Sequence, residues 1–271
     1  MGRIATESFD KYEGLGNDFV VVAAAAEESV STEWARAICD RRRGVGGDGI
    51  LVLLPARAGG DARMRVINSD GSIPEMCGNG LRCAALHVAR ARGIETGELT
   101  IETDAGPLRC AIERRGDDAI VLADMGIARV LDDVVVDGVE LTRVDVGNPH
   151  AVSFRPVARD QFERLGPTLS TAPAFERGTN VEFVQIERGA RVSLDVLVWE
   201  RGAGPTLACG TGACAAVAAA RSKGHLASDG PVVVRLPGGE LEIALDATTG
   251  RTTLRGPARR VFGGRLAGGA S

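Results

Sequence analysis

Short apolar runs cover most of this chain, and four stretches of helical character interrupt them. Helices are predicted over residues 32–41, 81–92, 160–168 and 213–223. In the first half, strands are predicted at residues 8–16, 19–24, 50–54, 62–68, 99–103, 107–114 and 119–123. A second set of strands starts near residue 127 and includes 144–152, 179–184, 192–200, 232–236, 240–245 and 252–255. Each half has the order strands, helix, strands. The pattern therefore indicates a two-domain α+β protein with one central helix per half.

The two central helices begin in the same way. Cys77-Gly78-Asn79-Gly80 opens the first, and Cys209-Gly210-Thr211-Gly212 opens the second, 132 residues later (209 − 77). Each cysteine is therefore predicted to lie at a helix N-terminus, where free backbone N–H groups and the helix dipole favour a thiolate or a bound carboxylate. Two such sites facing each other would hold one anion between two sulfur atoms.

Paired cysteines suit the inversion of a carbon acid such as an amino-acid α-carbon. One sulfur removes a proton from one face while the other returns a proton on the opposite face. The helix dipole supplies at most about 2 kcal/mol, which predicts a thiol pKa lowered by roughly one to one and a half units. One such cysteine alone would more simply be a small residue packed at a helix start, but the matched pair favours catalysis.

Composition narrows the class of protein. The 271 residues are 44% hydrophobic and 25% charged, with a net charge of −4, which predicts a globular protein without a nucleic-acid surface. The longest apolar run, residues 19–26, is shorter than the ~18 residues that span a bilayer. The first ten residues include Arg3, Glu7 and Asp10 and no apolar block, so we expect no secretory signal and a cytoplasmic protein.

The six cysteines are expected to be free thiols in a reducing compartment. Metal binding is not predicted, because the chain has no CxxC motif and three histidines. The remaining cysteines lie in apolar segments or point away from the helix starts, and are predicted to be core residues; they are Cys39, Cys83, Cys110 and Cys214.

Several motifs, in order along nearly the whole chain, resemble those of the diaminopimelate epimerase family. They are Gly14-Leu15-Gly16-Asn17-Asp18-Phe19, Asn68 with Asp70-Gly71, Glu75-Met76-Cys77-Gly78-Asn79-Gly80, Gly147-Asn148-Pro149-His150-Ala151-Val152, Thr179-Asn180-Val181-Glu182, Trp199-Glu200-Arg201-Gly202, Cys209-Gly210-Thr211-Gly212-Ala213, Gly256-Pro257-Ala258 and Val261-Phe262. The resemblance implies an isomerase that interconverts LL- and meso-2,6-diaminopimelate without a cofactor or metal, on the route to lysine and peptidoglycan.

The resemblance also implies a role for each site residue. Cys77 and Cys209 would be the acid and base, and His150 and Glu200 would adjust their pKa values. The reacting carboxylate would lie on Gly78, Asn79, Gly210 and Thr211, and the rest of the substrate on Asn17, Asn68, Asn148, Asn180, Glu200 and Arg201. Many family members carry Gln where this chain has Gly49, so that side-chain contact is absent here. Pro205 and residues 1–7 also depart from the pattern.

The same resemblance implies the architecture. Each domain would be a β-barrel-like mixed sheet wrapped around its central helix, with the active site in the cleft between the two domains. We expect an N-terminal domain of residues 1–125 to which a C-terminal strand of about 258–271 returns, and a C-terminal domain of residues 126–257. A homodimer is expected by the same analogy.

Three alternatives stay open at this stage. Proline racemases and hydroxyproline epimerases resemble this family in fold and paired cysteines, although Arg201 and the set of asparagines favour a substrate with two head groups. A thiol redox protein would use a disulfide between Cys77 and Cys209. A non-catalytic amino-acid-binding protein would keep its ligand after both cysteines are replaced.

Overall fold

The computed structural model describes residues 8–74, 76–189, 191–226 and 230–266, without the side chain of Glu28. Glu75 of the cysteine motif, residues 1–7 and the end of the predicted returning strand lie outside the described residues. The described chain forms two compact units, residues 8–123 with 256–266 and residues 124–255. The sequence had placed the same divisions after residues 125 and 257.

The first unit contains the chain from β1 through most of β7 and the second part of β16. Its elements are β1 (Ser8–Gly14), β2 (Asn17–Ala23), a 3₁₀ turn (Glu27–Ser29), α1 (Thr32–Cys39), β3 (Gly49–Leu54), β4 (Ala62–Asn68), α2 (Gly78–Ala91), β5 (Thr96–Thr103), β6 (Gly106–Arg115) and β7 (Asp118–Ile127), which runs on into the second unit.

The second unit follows along the chain. Its elements are β8 (Arg129–Val136), β9 (Val139–Asp145), β10 (Pro149–Ser153), α3 (Arg159–Ser170), β11 (Asn180–Arg188), β12 (Val192–Glu200), β13 (Gly204–Thr206), α4 (Gly210–Ser222), β14 (Val232–Leu236), β15 (Gly239–Leu245) and β16 (Arg251–Arg265), whose second part belongs to the first unit.

The sheet of the first unit closes on itself. Strands β1 to β7 lie side by side in chain order, and β16 lies beside both β7 and β1. The pairs β2 with β3 and β4 with β5 are parallel and the others described are antiparallel, so the sheet is mixed. Helix α2 contacts every strand from β1 to β6 and is buried along almost its whole length. The closed sheet therefore surrounds α2, while α1 covers the outer side against β3 and β4.

The second unit repeats this plan around α4. Its strand order is β8-β9-β10-β11-β12-β14-β15-β16, with β10–β11 and β12–β14 parallel. Helix α4 contacts β8 through β12 and β15. Its sequence is rich in alanine and every residue from Gly210 to Ala220 is buried, because small side chains let strands approach the helix from all sides. The predicted α+β class, with two similar units and one central helix in each, is confirmed.

The structure corrects several predicted boundaries. Helices α2 and α4 begin at Gly78 and Gly210, three residues before the predicted starts, since the cysteine side chains cap them. A turn at residues 146–148 interrupts the predicted strand at 144–152. Strand β16 is one element of 15 residues, which joins the strand predicted at 252–255 to the start of the returning strand expected at about 258–271. Its glycines weaken the sequence signal, but pairing with neighbouring strands compensates for low propensity.

The four cysteines that were predicted to be core residues are buried in the structure. They are Cys39, Cys83, Cys110 and Cys214. All six cysteines are free thiols.

Gly166 in α3 packs directly against Trp199 in β12. A β-carbon at this position would overlap the indole ring. Overpacking of this kind costs about 1–3 kcal/mol, against a gain of up to ~1 kcal/mol in helix propensity. We expect Gly166→Ala to lower the free energy of unfolding by about 1–2 kcal/mol in urea titrations. Gly230→Ala, where no atom of the described residues lies within 4 Å of the added carbon, serves as the control. Equal stability of Gly166→Ala and the parent protein would contradict this packing.

Candidate active site

The first half-site, built on Cys77, lies at the start of α2. Cys77 is the N-cap of the helix, in an extended backbone conformation, and the Gly80 N–H donates to its Sγ at 3.4 Å. The side chain is partly exposed. The sulfur thus occupies the place that a hydroxyl or carboxylate oxygen takes in an ordinary N-cap, beside the positive end of the helix dipole.

Two asparagines connect this helix start to β2. The Asn79 Nδ2 donates to the Asn17 Oδ1 at 3.1 Å, and the Asn17 Nδ2 donates to the Asp48 Oδ2 at 2.8 Å. The Asn79 Oδ1 accepts from the Arg82 Nη2 at 2.9 Å. Both amides are therefore held in one orientation, with Asp48 as the acceptor at one end and Arg82 as the donor at the other.

Asn68 ends β4, opposite Gly49 at the start of β3. The Asn68 Nδ2 donates to the Ser72 hydroxyl at 2.9 Å. A β-carbon at Gly49 would lie 2.9 Å from the Ile67 carbonyl oxygen. The backbone around Gly49 therefore leaves no room for a glutamine side chain at this position.

The second half-site, built on Cys209, has the same geometry at the start of α4. Cys209 is the N-cap, and the Gly212 N–H donates to its Sγ at 3.4 Å. The Thr211 hydroxyl lies 3.5 Å from the same sulfur. Unlike Cys77, Cys209 is buried.

The lowered pKa predicted for Cys209 is wrong, because of the environment of its side chain. The helix N-terminus was expected to lower it, but burial raises the pKa of the Cys209 thiol well above its usual value, and the nearby carboxylates of Glu200 and Glu182 raise it further. The hydrogen bonds from Thr211 and Gly212 act in the opposite direction and do not compensate. Desolvation and two like charges outweigh the partial charges of one helix end. Cys209 is therefore a protonated thiol at neutral pH.

A chain of hydrogen bonds runs from Cys209 to a buried carboxylate. The Asn148 Nδ2 donates to the Thr211 Oγ1 at 3.3 Å, so the Thr211 hydroxyl is free to donate to the sulfur. The Asn148 Oδ1 lies 3.0 Å from the His150 Nε2, which must then be the donor. The His150 Nδ1 lies 2.7 Å from the Glu182 Oε1. This order places a proton on the His150 Nε2.

Glu182 is completely buried near the start of β11. Its Oε2 has no hydrogen-bond partner among the described residues, and its Oε1 lies 2.8 Å from the position that a β-carbon on Gly212 would occupy. The contact at 2.7 Å requires one proton between the Glu182 carboxylate and His150. A buried carboxylate thus lies directly beside the first turn of α4.

Glu200 and Arg201 lie at the end of β12. The Thr206 hydroxyl donates to the Glu200 Oε1 at 2.7 Å, and burial raises the pKa of the Glu200 carboxyl despite this bond. The Arg201 N–H donates to the Asn180 Oδ1 at 2.9 Å, and the Asn180 Nδ2 donates to the Pro149 carbonyl. The guanidinium of Arg201 is exposed and donates to the Arg177 carbonyl at 2.8 Å.

Metal-ligand clusters and membrane-spanning helices are absent from the described residues. No group of three or more His, Cys, Asp or Glu side chains in this part of the chain could hold a metal ion. No helix there is both long enough and apolar enough to cross a membrane.

Comparison with known proteins supports the same family along nearly the whole chain. The sequence model described as Diaminopimelate epimerase matches residues 9–131 and 142–261. Diaminopimelate epimerase 1 of Nostoc sp. is 42% identical over 282 residues, with 95% of this chain and 99% of that protein covered. Diaminopimelate epimerase of Desulforudis audaxviator is 44% identical over 277 residues, with 95% and 98% covered. The chain belongs to the diaminopimelate epimerase family.

A solved structure shows how far the fold extends beyond this family. A probable proline racemase from Agrobacterium radiobacter, with bound carbonate, has a TM-score of 0.75 over 96% of this chain and 92% of that one, at 17% identity. The likeness to that protein concerns the fold alone. The predicted family membership and isomerase class are confirmed by the sequence matches.

The residues that the family resemblance assigned fall into two groups, one in each unit. The first half-site contains Cys77, Gly78, Asn79, Asn17 and Asn68. The second contains Cys209, Gly210, Thr211, Asn148, His150, Asn180, Glu200 and Arg201.

Two buried charged residues were missed by sequence reasoning. Arg82 and Glu182 are both completely buried, and each touches one half-site. A signal was present, since each is a charged residue within an apolar segment, where such residues are rare unless paired. Helical spacing alone does not distinguish an inward-facing arginine from one that extends its head group to solvent.

Asp18, next to Asn17, anchors the first half-site through a charge cluster. Its carboxylate lies 2.6 Å from both the buried Lys11 Nζ and the Arg41 Nη2. Burial alone would raise the pKa of Asp18, but the hydrogen bonds from Arg41 and Lys11 outweigh it and lower that pKa to about 2. A lowered carboxyl pKa contributes stability that is complete above pH ~4 and is lost as the pH falls towards 2.

We therefore expect Asp18→Asn to lower the free energy of unfolding at pH 7 by about 1–2 kcal/mol, a value reduced for the partial exposure of the group. In urea titrations the difference from the parent protein should shrink between pH 4 and pH 2. Asp118→Asn, which removes an exposed carboxylate beside Arg259, should show no such trend. A difference that is independent of pH would contradict the ion-pair explanation.

Proposed function

We propose that this chain converts LL-2,6-diaminopimelate to meso-2,6-diaminopimelate by cofactor-independent proton transfer at the α-carbon. One cysteine sulfur removes the α-proton, and the other returns a proton to the opposite face. The observation that carries the proposal is the pair of matched N-cap cysteines, each with a Gly N–H 3.4 Å from its sulfur. Membership of the diaminopimelate epimerase family supports the substrate.

The helix starts supply the electrostatics of the reaction. The N–H groups of Gly78 and Asn79 and of Gly210 and Thr211 belong to the first helical turns and would hold the reacting carboxylate. Negative charge builds on that carboxylate as the α-proton leaves, and fixed donors stabilise it without reorganisation. No cofactor is required, because the carboxylate takes up the charge and the sulfurs handle the proton.

The remaining polar side chains suit a substrate with two amino-acid head groups. The exposed guanidinium of Arg201 offers a planar fork to the distant carboxylate. Glu200 offers a counter-charge to an ammonium group, and the amides of Asn17, Asn68, Asn148 and Asn180 can donate or accept at either head. His150 would adjust the cysteine pKa values together with Glu200, because the hydrogen-bond chain from Cys209 passes through it.

Two further parts of the proposal rest on family resemblance. We propose that the enzyme is cytoplasmic and that it works as a homodimer. Sedimentation of the purified protein tests the second point, since a species of 28.2 kDa at working concentrations would contradict it.

The direct test is proton NMR of LL-diaminopimelate incubated with the reduced protein in heavy water. We expect loss of the α-hydrogen signal together with the appearance of the meso isomer. L-Proline and trans-4-hydroxy-L-proline, under the same conditions, should keep their α-hydrogen signals. Exchange in either of these but not in diaminopimelate would overturn the substrate assignment. Activity that is highest after oxidation of the cysteines would overturn the acid-base roles.

A further inference from the structure

Arg82 is a completely buried cation that forms no ion pair with a carboxylate of the described residues. Its Nε donates to the Pro257 carbonyl at 2.9 Å, its Nη1 to the Gly78 carbonyl at 3.3 Å and its Nη2 to the Asn79 Oδ1 at 2.9 Å. Each of these acceptors is neutral. Among the residues that the structure describes, Arg82 takes part in no ion pair. A buried charge of this kind costs several kcal/mol unless an opposite charge compensates for it.

The three acceptors place the guanidinium beneath the first turn of α2. Gly78 directly follows Cys77, and Asn79 begins the hydrogen-bonded pair with Asn17. The first turn of this helix contains no acidic side chain. A positive charge is therefore fixed at the helix start whose N-cap is a sulfur.

Four other titratable groups lie near Arg82. They are Cys83 on the same helix, Glu13 on β1, Cys110 on β6 and Cys77. Burial raises the pKa of the Cys83 thiol, so that side chain stays neutral. The Glu13 carboxylate interacts favourably with the Arg82 charge from β1, while its Oε2 accepts from the Gly16 N–H at 3.1 Å. Burial lowers the pKa of Arg82, yet a guanidinium keeps its proton in proteins. Among these groups the Cys77 sulfur is the one at the helix start, where a thiolate would place a negative charge near the guanidinium.

The second unit lacks this arrangement at the equivalent position. Arg82 follows Cys77 by five residues, and Cys214 follows Cys209 by the same interval. Cys214 is a buried neutral thiol, since burial raises its pKa to about 12. The charged groups beside Cys209 are instead the carboxylates of Glu182 and Glu200. One half-site thus has a buried guanidinium near its cysteine, and the other has two carboxyl groups there.

We propose that Arg82 is a positioning residue that keeps Cys77 as the thiolate in the resting protein, while Cys209 keeps its proton. The inference rests on the proposed function, because it gives the two cysteines their opposite starting states. In the first turnover the α-C–H bond breaks and its proton passes to the Cys77 sulfur. The Cys209 S–H bond then breaks, and its proton forms the new α-C–H bond. The negative charge moves from Cys77 to Cys209, and proton exchange with water restores the starting state.

The test uses the full-length reduced protein without substrate. Iodoacetamide alkylation is followed from pH 5 to pH 10, and the modified Cys77 and Cys209 peptides are quantified separately by mass spectrometry. In the parent protein we expect Cys77 to react with a midpoint pH below that of Cys209. Differences in exposure change the rates of alkylation but leave the midpoints in place.

Variants of Arg82 then separate charge from packing. Arg82→Met should raise the midpoint pH of Cys77 alkylation by about one unit or more, the size expected for loss of a nearby opposite charge. Arg82→Lys, which keeps the charge, should remain near the parent midpoint. Arg90→Met is the matched control, because Arg90 lies two turns further along α2 and contacts the Tyr12 hydroxyl. Circular dichroism and thermal melting confirm that each variant is folded.

The inference would be overturned by an unchanged Cys77 midpoint in folded Arg82→Met. It would equally be overturned if the two cysteines of the parent protein titrated together, a result that needs no variant to fold. Failure of the proposed function is distinguishable, since the NMR assay would then show no exchange while the Cys77 midpoint still depended on Arg82.

Discussion

Cys77→Ala and Cys209→Ala should each reduce kcat for epimerisation by at least ~100-fold, and up to ~10,000-fold, because each removes one of two obligatory acid-base groups. Neither change should unfold the protein, since both side chains lie at helix starts and not in the packed contacts between strands. The assay is the conversion of LL- to meso-diaminopimelate by purified protein. Binding of substrate should survive better than turnover, so kcat should fall more than KM changes.

The chain itself offers matched controls for both substitutions. Cys83→Ala and Cys214→Ala remove buried thiols from the same two helices, away from the N-caps. These variants should keep kcat within a few-fold of the parent and lose only packing energy, about 1 kcal/mol for a small buried group. If Cys77→Ala or Cys209→Ala retained activity at the level of these controls, the two-base mechanism would be wrong.

We expect the methyl group added by Gly212→Ala to reduce activity more than one added at the equivalent glycine of α2. Its β-carbon would lie 2.8 Å from the Glu182 Oε1 and 3.3 Å from the Cys209 Sγ. The carboxylate cannot withdraw easily, because its Oε1 is held at 2.7 Å from His150. The start of α4 or the buried pair must therefore shift. Displacement of a catalytic group by about 1 Å costs on the order of 100-fold in rate, and we expect kcat/KM to fall by about that factor.

Gly80→Ala, at the equivalent position of α2, is the control for Gly212→Ala. Its added carbon would lie 2.9 Å from the Leu51 Cδ2 and 3.5 Å from the Cys77 Sγ. A leucine methyl group can move by rotation of its side chain, so we expect a loss in kcat/KM of about tenfold or less. Equal losses in the two variants would show that crowding at the sulfur, rather than the fixed Glu182 carboxylate, dominates.

Much of the fold could be predicted from local pattern. Strand and helix positions were close to those observed, because alternation and helical spacing are local properties of sequence that survive in the folded protein. The N-cap positions of Cys77 and Cys209 followed from the cysteine-glycine repeat in the same way. Strand β16 was underestimated, since its length depends on pairing with β1, which lies about 250 residues earlier in the chain.

The protonation state of Cys209 was predicted wrongly for a related reason. Its helix start was visible in the sequence, but the Glu182 carboxylate that opposes a thiolate comes from a different strand. Burial and nearby charge are sums over the whole neighbourhood of a group, and they outweigh the contribution of one helix end.

The family, the order of elements and the two cysteine helix starts could be read from the amino-acid sequence, because each is carried by residues close together in the chain. The tertiary structure decided the electrostatic difference between the half-sites. Arg82 bonds to Pro257, 175 residues away, and Glu182 meets His150 across two strands. Electrostatic energies depend on distance and burial in space, which spacing along the chain does not specify.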